Sequence, residues 1–316
     1  MVKKFILIVL VLSFVTSESQ SDVYIKNKVR NYTNIKSSHE LFKKIEKDFI
    51  TNVSRVKAGY AWITLHIKYQ VSNSILIKEP EQILYYNQED LANKIQMKND
   101  KLVEKAIKEK AGVCEHMALV LHKLCNYFSI ENELIKGYVK NSPDEIGSNP
   151  RFKNHIWNAV KLDKKWRLID TTFGVDYDSY FDRAESNFTY FDIPKEQMRL
   201  THYPSDEKWL TYINQSTIKR FSALPMFWDS FIEAKAELVS PKIGMLNDEE
   251  KRKSFTFRNL DENMKITYKF ENENFTKTPR IRRSRNYTNV IINTRRKGIL
   301  TLYFNDESAL AFRVGE

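Results

Sequence analysis

The spacing of apolar residues changes once along this chain of 316 residues, and the change restricts the folds that it can adopt. From Glu40 to Ile67 apolar side chains recur at every third or fourth position, which predicts helices with one buried face. After about Pro225 the pattern becomes short alternating strands such as SFTFRNL and TNVIINT, separated by turn residues and charges. The sequence therefore predicts an α+β protein whose C-terminal part is an antiparallel, immunoglobulin-like β-sandwich.

Residues 1–20 have the layout of a cleaved secretory signal. Two lysines precede an unbroken apolar block from Phe5 to Leu12, and small and polar residues follow it. The block is too short to cross a bilayer comfortably, although an uncleaved anchor is the alternative. We expect cleavage after Ser17, so that residues 1–17 are a signal peptide and the mature chain is secreted, periplasmic or held at the cell surface.

The length of the mature chain and the change in its apolar periodicity favour two domains. Its length exceeds the usual size of one domain. The segment NSPDEIGSNPRF, residues 141–152, is predicted to be a loop within the first domain because of its Pro, Gly and Asn residues. We place the domain boundary at the change in periodicity, which gives a first domain over residues 18–225 and a second over residues 226–316.

The formal charge of the chain is +11 at pH 7, and removal of Lys3 and Lys4 with the leader would leave +9. Such a balance would suit an acidic partner. We expect no nucleic-acid partner, because the lysines are spread along the chain beside glutamates in runs such as NDKLVEKAIKEKAG. The densest basic segment, from Arg280 to Lys297, is either a solvated sheet face with its loop or a surface for an anionic polymer.

Both cysteines lie in the stretch AGVCEHMALVLHKLC, residues 111–125. Apolar residues at steps of three and four from Cys114 to Phe128 predict one buried face of a helix. Along such a helix the Cα atoms of Cys114 and Cys125 would be about 16 Å apart, whereas a disulfide needs them within about 7 Å. The helix therefore excludes an intramolecular disulfide, and it also excludes a zinc ion shared by both thiols.

The two cysteines differ in their position along this helix. Cys125 falls three turns in, among leucines and a phenylalanine, and is predicted to be a packing residue. Cys114 falls in the first turn, where unpaired backbone amides and the helix dipole stabilise a thiolate. Position alone is equally compatible with a nucleophile and with a small buried residue at Cys114.

A nucleophilic thiol needs a base, and the chain has six histidines. Five are poor candidates, because they point away from the thiol, lie out of its reach along the helix, or occupy positions that predict a surface or structural role. These five are His39, His66, His116, His122 and His202.

The sixth histidine, His155, lies in the segment KNHIWNAVKLDKKWRLIDTTFG, which predicts two strands joined by a tight turn. With a two-residue turn, Leu162 faces Lys165. Asp170 then faces Trp157, one step along the same face from His155. This register puts a carboxylate near an imidazole, where it can fix the ring tautomer and stabilise the imidazolium.

In its motifs the chain resembles the transglutaminase-like superfamily, whose Cys, His and Asp occur in this order. The resemblance lies in GVCEHMALVLHKLCNYFSIENELIKGYVK and NHIWNAVKLDKKWRLIDTTFG, with GYAWITLHIKY similar to the family's upstream helix and THYPSDEKWL to its segment after the core. It covers roughly residues 38–225 and is closest to the kyphoscoliosis-peptidase-like branch, which contains many exported bacterial proteins. The resemblance implies a papain-like core, with N-terminal helices packed on an antiparallel sheet, ahead of the β-sandwich.

The resemblance also implies roles for individual residues. Cys114 would be the nucleophile, His155 the general base and Asp170 the orienting acid. The family's oxyanion hole uses the backbone amide of the nucleophile and a group from the upstream helix, and Trp62 stands at the matching position. Trp157 is a further candidate for binding the substrate or the oxyanion.

This chain departs from the branch's pattern at several positions, none of which is a Cys, His or Asp of the implied triad. These departures put the implied substrate specificity in doubt more than the implied chemistry. The departures are His66, Tyr69-Gln70, Ile156, Lys164 and Phe173.

The implied activity is that of an exported cysteine peptidase or amidase that cleaves amide bonds through a thioester acyl-enzyme. A protein cross-linking transamidase and a catalytically silent surface binding module are the alternatives. We expect no metal or other cofactor, because the chain has no calcium-loop pattern and the acidic run DYDSYFD, residues 176–182, is predicted to be a solvated loop. The expected partner is a protein or peptide substrate, with a cell-envelope component as one candidate, and no membrane span is expected after cleavage of the leader.

Overall fold

The computed structural model describes residues 22–70, 83–178 and 183–315. The chain divides into two compact units, one made of the residues up to Leu134 with Ile156–Asp192 and the other of Ile135–His155 with Ile193–Glu316. The predicted signal peptide, residues 1–17, lies outside the described residues, and the predicted domain boundary at residue 225 stays a prediction. Within the described ranges, no helix combines the length and apolarity that a membrane crossing requires.

Helices supply most of the core of the first unit. Their ends carry the expected caps, since Ser37 accepts from the backbone N–H of Glu40, and Thr51 and Ser54 cap one another's backbone N–H groups. Residues 22–30 are helical, and the longer helices are α1 (Ser38–Asp48), α2 (Asn52–His66), α3 (Gln88–Glu109) and α4 (Cys114–Tyr127).

Helix α2 lies at the centre of this core. Every residue from Ala58 to Thr64 is buried, so α2 is enclosed on all sides rather than on one stripe. Helix α4 buries the face that the sequence predicts, including Met117, Leu121 and Leu124. Most of the residues that α2 and α4 bury belong to one continuous cluster of buried apolar side chains.

Short strands complete the first unit. Strand β1 (Lys68–Tyr69) pairs in parallel with β2 (Ala111–Gly112). Strand β4 (His155–Leu162) pairs antiparallel with β5 (Lys165–Ile169), with Leu162 opposite Lys165.

The turn between β4 and β5 explains this register. Asp163 and Lys164 both have positive φ, 51° and 64°, which is typical of a two-residue type I′ turn. The two-residue turn and the pairing of Leu162 with Lys165 are therefore confirmed.

Strand β6 (Val175–Asp178) pairs antiparallel with β7 (Arg183–Ser186). The predicted loop over residues 176–182 is therefore wrong for Asp176 to Asp178, because this part of the acidic run is a paired strand. Residues 179–182 lie outside the described residues.

The second unit begins at Ile135, within β3 (Asn132–Val139), and this strand pairs antiparallel with β8 (His202–Pro204). A 3₁₀ turn at Pro143–Glu145 interrupts the long predicted loop. The helices of this unit are short: α5 (Lys195–Thr201), α6 (Glu207–Tyr212), α7 (Ile218–Ala223) and α8 (Asp229–Glu233).

Two sheets make up the C-terminal part of the second unit. Phe255 contacts Phe312 and Phe257 contacts Phe304 across them, with ring centroids 4.7 and 5.7 Å apart. Their strands are β9 (Met226–Phe227), β10 (Glu237–Ser240), β11 (Met245–Leu246), β12 (Arg252–Arg258), β13 (Ile266–Phe270), β14 (Arg280–Arg283), β15 (Tyr287–Asn293), β16 (Gly298–Phe304) and β17 (Glu307–Val314). One sheet has the order β10-β12-β15-β14 and the other β11-β17-β16-β13, with β9 beside β17.

The predicted sheet-rich C-terminal region is confirmed, and its sandwich arrangement stays a prediction. The expectation of purely antiparallel pairing is wrong at one edge, because β11 pairs in parallel with β17. Such a pair cannot arise from a hairpin, and a long connection separates the two strands in the chain.

The basic segment from Arg280 to Lys297 contains β14, whose arginines at both ends are exposed. Several of its cations have local partners. Arg296 pairs with Glu273, and the ammonium of Lys297 lies 2.7 Å from Asp248. These contacts favour the sheet-face interpretation, and binding of an anionic polymer there stays a prediction.

We predict that Gly174→Ala destabilises the first unit. A Cβ atom at this position would lie 1.7 Å from the hydroxyl oxygen of Tyr60, which is buried and donates to the carbonyl of Asn187. Because the tyrosine ring is enclosed and cannot swing away, overpacking should cost about 2–3 kcal/mol of unfolding free energy. Urea unfolding followed by tryptophan fluorescence measures the loss.

Gly59→Ala is the matched control. Its Cβ atom would approach the terminal methyl groups of Leu124, at 2.8 and 3.2 Å, which can move, and alanine is favoured over glycine inside a helix. The control should lose clearly less stability than Gly174→Ala. Equal losses would contradict the assignment of Tyr60 as the obstacle.

Candidate functional site

Cys114 is the first residue of α4 and is half-buried. The first bond within the helix runs from the backbone N–H of Met117 to the carbonyl of Val113, so the amides before Met117 have no partner in the helix ladder. One of these amides is that of Cys114 itself. The helix therefore presents N–H donors outside its own ladder, and the positive end of its dipole, beside the thiol.

Backbone pairing fixes the point at which α4 begins. The N–H of Lys68 donates to the carbonyl of Lys110, and that of Gln70 to the carbonyl of Gly112, both at 2.9 Å. The imidazole of His116 accepts from the N–H of Val113 at 3.4 Å and so caps the helix start. This contact agrees with the prediction that His116 does not serve Cys114 as its base.

Cys125 behaves as the predicted packing residue. It is 0 % exposed and belongs to the core cluster of the first unit. Burial raises the pKa of its thiol, which disfavours the thiolate. Of the two thiols, only that of Cys114 is reached by solvent.

Tyr69 lies beside the start of α4, opposite Gly112 in the β1–β2 pair. Burial raises the pKa of its phenol, the charges of Cys114 and Asp170 raise it further, and a hydrogen bond with the backbone of Cys114 lowers it. The phenol oxygen therefore meets the backbone N–H of Cys114, and all three residues lie within one electrostatic neighbourhood. In the sequence Tyr69 appears only as a departure from a family pattern, and no spacing rule connects it with Cys114.

Asp170 follows β5 directly and is 0 % exposed. Its carboxylate accepts from the backbone N–H groups of Thr172 and Phe173, at 2.7 and 3.1 Å. Its own N–H donates to the carbonyl of Tyr190 at 3.0 Å. These bonds hold a buried carboxylate in one orientation, as an orienting acid requires.

Strand β4 is anchored to α4 by a buried amide. The side chain of Asn158 is fully buried and donates to the carbonyl of Ala118 at 3.0 Å, one turn into α4. Trp157 precedes it and is 1 % exposed. The β4–β5 pairing runs as far as Asn158 opposite Ile169, so the predicted position of Asp170 opposite Trp157 stays a prediction. The suggested substrate contact of Trp157 stays a prediction.

His155 is the first residue of β4 and is 7 % exposed. Its ring centroid lies 5.5 Å from that of His202, which is fully buried and shares a 2.7 Å hydrogen bond with the hydroxyl of Thr201. A structural role for His202 agrees with this contact.

Trp62, the predicted oxyanion-hole residue, is fully buried in α2. Its indole N–H donates to the carbonyl of Tyr32 at 3.2 Å. The ammonium of Lys110 lies 4.3 Å from the ring centroid, and the ring of His66 stacks on it. The only polar hydrogen of Trp62 is thus already bonded, and its role at the oxyanion stays a prediction.

Part of the chain is similar to known proteins. Residues 39–171 match the family model described as "Transglutaminase-like superfamily". The Homo sapiens "Kyphoscoliosis peptidase" is 23% identical over 189 residues, which cover 58% of this chain and 25% of that protein. The Schizosaccharomyces pombe "cytokinesis protein 3" is 29% identical over 138 residues, which cover 42% of this chain and 15% of that protein.

One solved structure, described as "Crystal structure of a TGase", has a TM-score of 0.26 and 15% identity, with coverage of 43% of this chain and 30% of that chain. This chain spans a quarter or less of the length of the two curated relatives.

We predict that iodoacetamide modifies Cys114 and spares Cys125 in the folded protein. The thiol of Cys114 is half-buried at a helix start, whereas that of Cys125 is enclosed and its pKa is raised by burial. Peptide mass spectrometry after timed labelling at pH 7 gives the two rates. In urea both thiols should react, and comparable rates in the native protein would show that the core around α4 opens readily.

Proposed function

The chain contains a transglutaminase-like domain, matched over residues 39–171, and from this premise we propose that it is a cysteine peptidase or amidase. The reaction would use Cys114 as nucleophile, His155 as general base and Asp170 as orienting acid. The observation that carries the proposal is the start of α4, where a solvent-reached thiol, a backbone N–H outside the helix ladder and a buried, oriented carboxylate lie in one neighbourhood.

In the first step His155 takes the proton of the Cys114 thiol, and the sulfur attacks the carbonyl carbon of an amide. The amide π electrons move onto the carbonyl oxygen and give a tetrahedral intermediate. The thiol lies at the start of α4, where the positive end of the helix dipole faces the reacting groups.

The developing oxyanion needs donors that are already in place. The backbone N–H of Cys114 is one, and the Tyr69 phenol forms a hydrogen bond with the same backbone group. A small shift of the phenol would let its O–H donate to the oxyanion beside that N–H. The indole N–H of Trp62 is already bonded to the carbonyl of Tyr32. In this proposal Tyr69 therefore takes the role of side-chain donor that the sequence assigned to Trp62.

Collapse of the intermediate breaks the C–N bond, and the imidazolium of His155 gives its proton to the leaving amine. Cys114 is then acylated as a thioester. Water gives a proton to His155 and attacks the carbonyl carbon of the thioester. The C–S bond then breaks, the imidazolium of His155 returns the proton to the Cys114 sulfur, and the acid leaves. Asp170 keeps its charge throughout and holds the tautomer of the imidazole.

An amine in place of water would give transamidation from the same thioester, so hydrolysis and cross-linking share every residue up to that step. We favour hydrolysis of a protein or peptide exposed outside the cell, such as a cell-envelope component, because residues 1–20 have the layout of a secretory signal. One relative is named a peptidase.

We predict that Cys114→Ala abolishes cleavage of a peptide library. Asp170→Asn should lower kcat by about 10²–10⁴, because the imidazole loses its fixed tautomer. His155→Gln should remove the thiol's base and slow both acylation and iodoacetamide labelling of Cys114 at pH 6. Assays run with and without an added primary amine separate hydrolysis from transamidation.

Cys125→Ala is the matched control, and it should retain cleavage because that thiol lies in the core. If wild type binds library peptides but neither cleaves nor transamidates them, the chain is a silent binding module. Activity retained by Cys114→Ala would refute the proposed nucleophile.

We predict a smaller and different effect for Tyr69→Phe. Loss of one oxyanion donor should lower kcat by about tenfold to a hundredfold and leave KM nearly unchanged, because the donor acts mainly on the transition state. Steady-state kinetics and thermal unfolding measure the two effects separately. An unchanged kcat would remove Tyr69 from the mechanism without affecting the assignment of Cys114.

A further inference from the structure

The second unit contains a cavity of about 820 Å³. Its walls come from α5, from the turn at residues 214–216, from α7 and from the segment between Lys235 and Ile243. All of these segments belong to the second unit, so the cavity is a feature of that unit alone. Its volume falls in the range of about 300–1,000 Å³ that is typical of ligand sites.

The cavity is lined by more positive than negative groups. Four exposed cations contribute to it: Arg199, Arg220, Lys235 and Lys242. Within residues 22–70, 83–178 and 183–315, none of the four makes an ion pair. The lining contains two carboxylates, and one of them, Glu237, is bound by Arg258 at 3.0 Å. Glu196 is then the one lining carboxylate without such a partner.

Apolar side chains form the remaining lining of the cavity. Leu200, Leu224, Phe227, Leu238 and Ile243 contribute to it, and Ile243 is 57 % exposed. The lining therefore combines apolar groups with the four cations. The ligand that fits such a lining has an apolar part and several negative charges.

One turn of this wall is rigidly built. The side-chain amide of Gln215 donates to the carbonyls of Arg199 and His202, both at 2.9 Å. These bonds tie the turn at residues 214–216 to the end of α5. The position of the Arg199 backbone is therefore fixed relative to the turn that forms the neighbouring wall.

We propose that this cavity binds an acidic peptide segment that carries apolar side chains. The four cations come from four separate segments, α5, α7, the residues after α8 and the loop before β11, so they suit several charges spread along a chain rather than one phosphate group. The apolar lining suits the side chains between those charges. Binding here goes beyond the acyl-transfer chemistry and needs none of its residues.

The test uses full-length protein with Cys114→Ala, so that the probe cannot be cleaved. The probe is a fluorescein-labelled peptide of alternating Glu and Leu, and its affinity is measured by fluorescence anisotropy. The double variant Arg199→Glu with Arg220→Glu should weaken binding at least about tenfold, because each reversal replaces an attraction by a repulsion. Added salt should weaken the wild-type affinity as well.

The matched control is Lys195→Glu with Lys219→Glu. These lysines lie on the same two helices and are exposed, but they do not line the cavity. The control changes the net charge equally and should alter affinity less than about twofold, since screening weakens charges outside the site. Circular dichroism melts confirm that both variants fold.

Three outcomes would overturn the proposal. Equal losses in both double variants would show a general charge effect. Equal binding of an alternating Gln and Leu peptide would show that the negative charges are not recognised. Tighter binding of a single-stranded oligonucleotide than of the Glu and Leu peptide would show a nucleic-acid surface instead. None of these results bears on cleavage, which is assayed separately with the intact Cys114.

Discussion

The candidate site depends on a two-residue parallel pairing between segments that are far apart in the chain. Lys68 and Gln70 donate to the carbonyls of Lys110 and Gly112, and this pairing decides where α4 begins. If the helix began one residue later, Cys114 would lie outside its first turn and the free amides would face a different side chain. The same pairing places Tyr69 opposite Gly112, so one contact positions the thiol, the amide and the phenol together.

Polar groups in the core hold the second part of the site. Asn158 and Asp170 are fully buried, and each meets backbone partners, the carbonyl of Ala118 for the amide and the N–H groups of Thr172 and Phe173 for the carboxylate. Rotation of the Asp170 carboxylate would cost both of its hydrogen bonds, and rotation of the Asn158 amide would cost the bond to Ala118 while its buried oxygen already has no partner. Because the surrounding core is apolar and offers few other hydrogen-bond partners, these bonds fix the orientations of the two side chains.

The sequence predicts the features of this site that depend on local rules. The helix from Cys114 follows from apolar spacing over consecutive residues, and the β4–β5 register follows from a two-residue turn, so both could be predicted and both are observed. The contact of Tyr69 with Cys114 and that of Trp62 with Tyr32 depend on which segments meet in space. No periodicity encodes such meetings, and a residue match to the upstream helix cannot show that the indole N–H is already bonded.

The parallel pairing of β11 with β17 also depends on which segments meet in space. The sequence could not predict it, because alternation of apolar residues along a strand does not specify the neighbouring strand. Formal charge has the corresponding weakness, because it counts residues without regard to their partners. Lys123 lies 2.8 Å from Asp100 and 3.1 Å from Glu104, and Arg30 lies 2.7 Å from Glu185, so these cations contribute little field beyond their own ion pairs. What a basic chain attracts is therefore decided by those cations that the fold leaves without a carboxylate, and by the surface on which they lie.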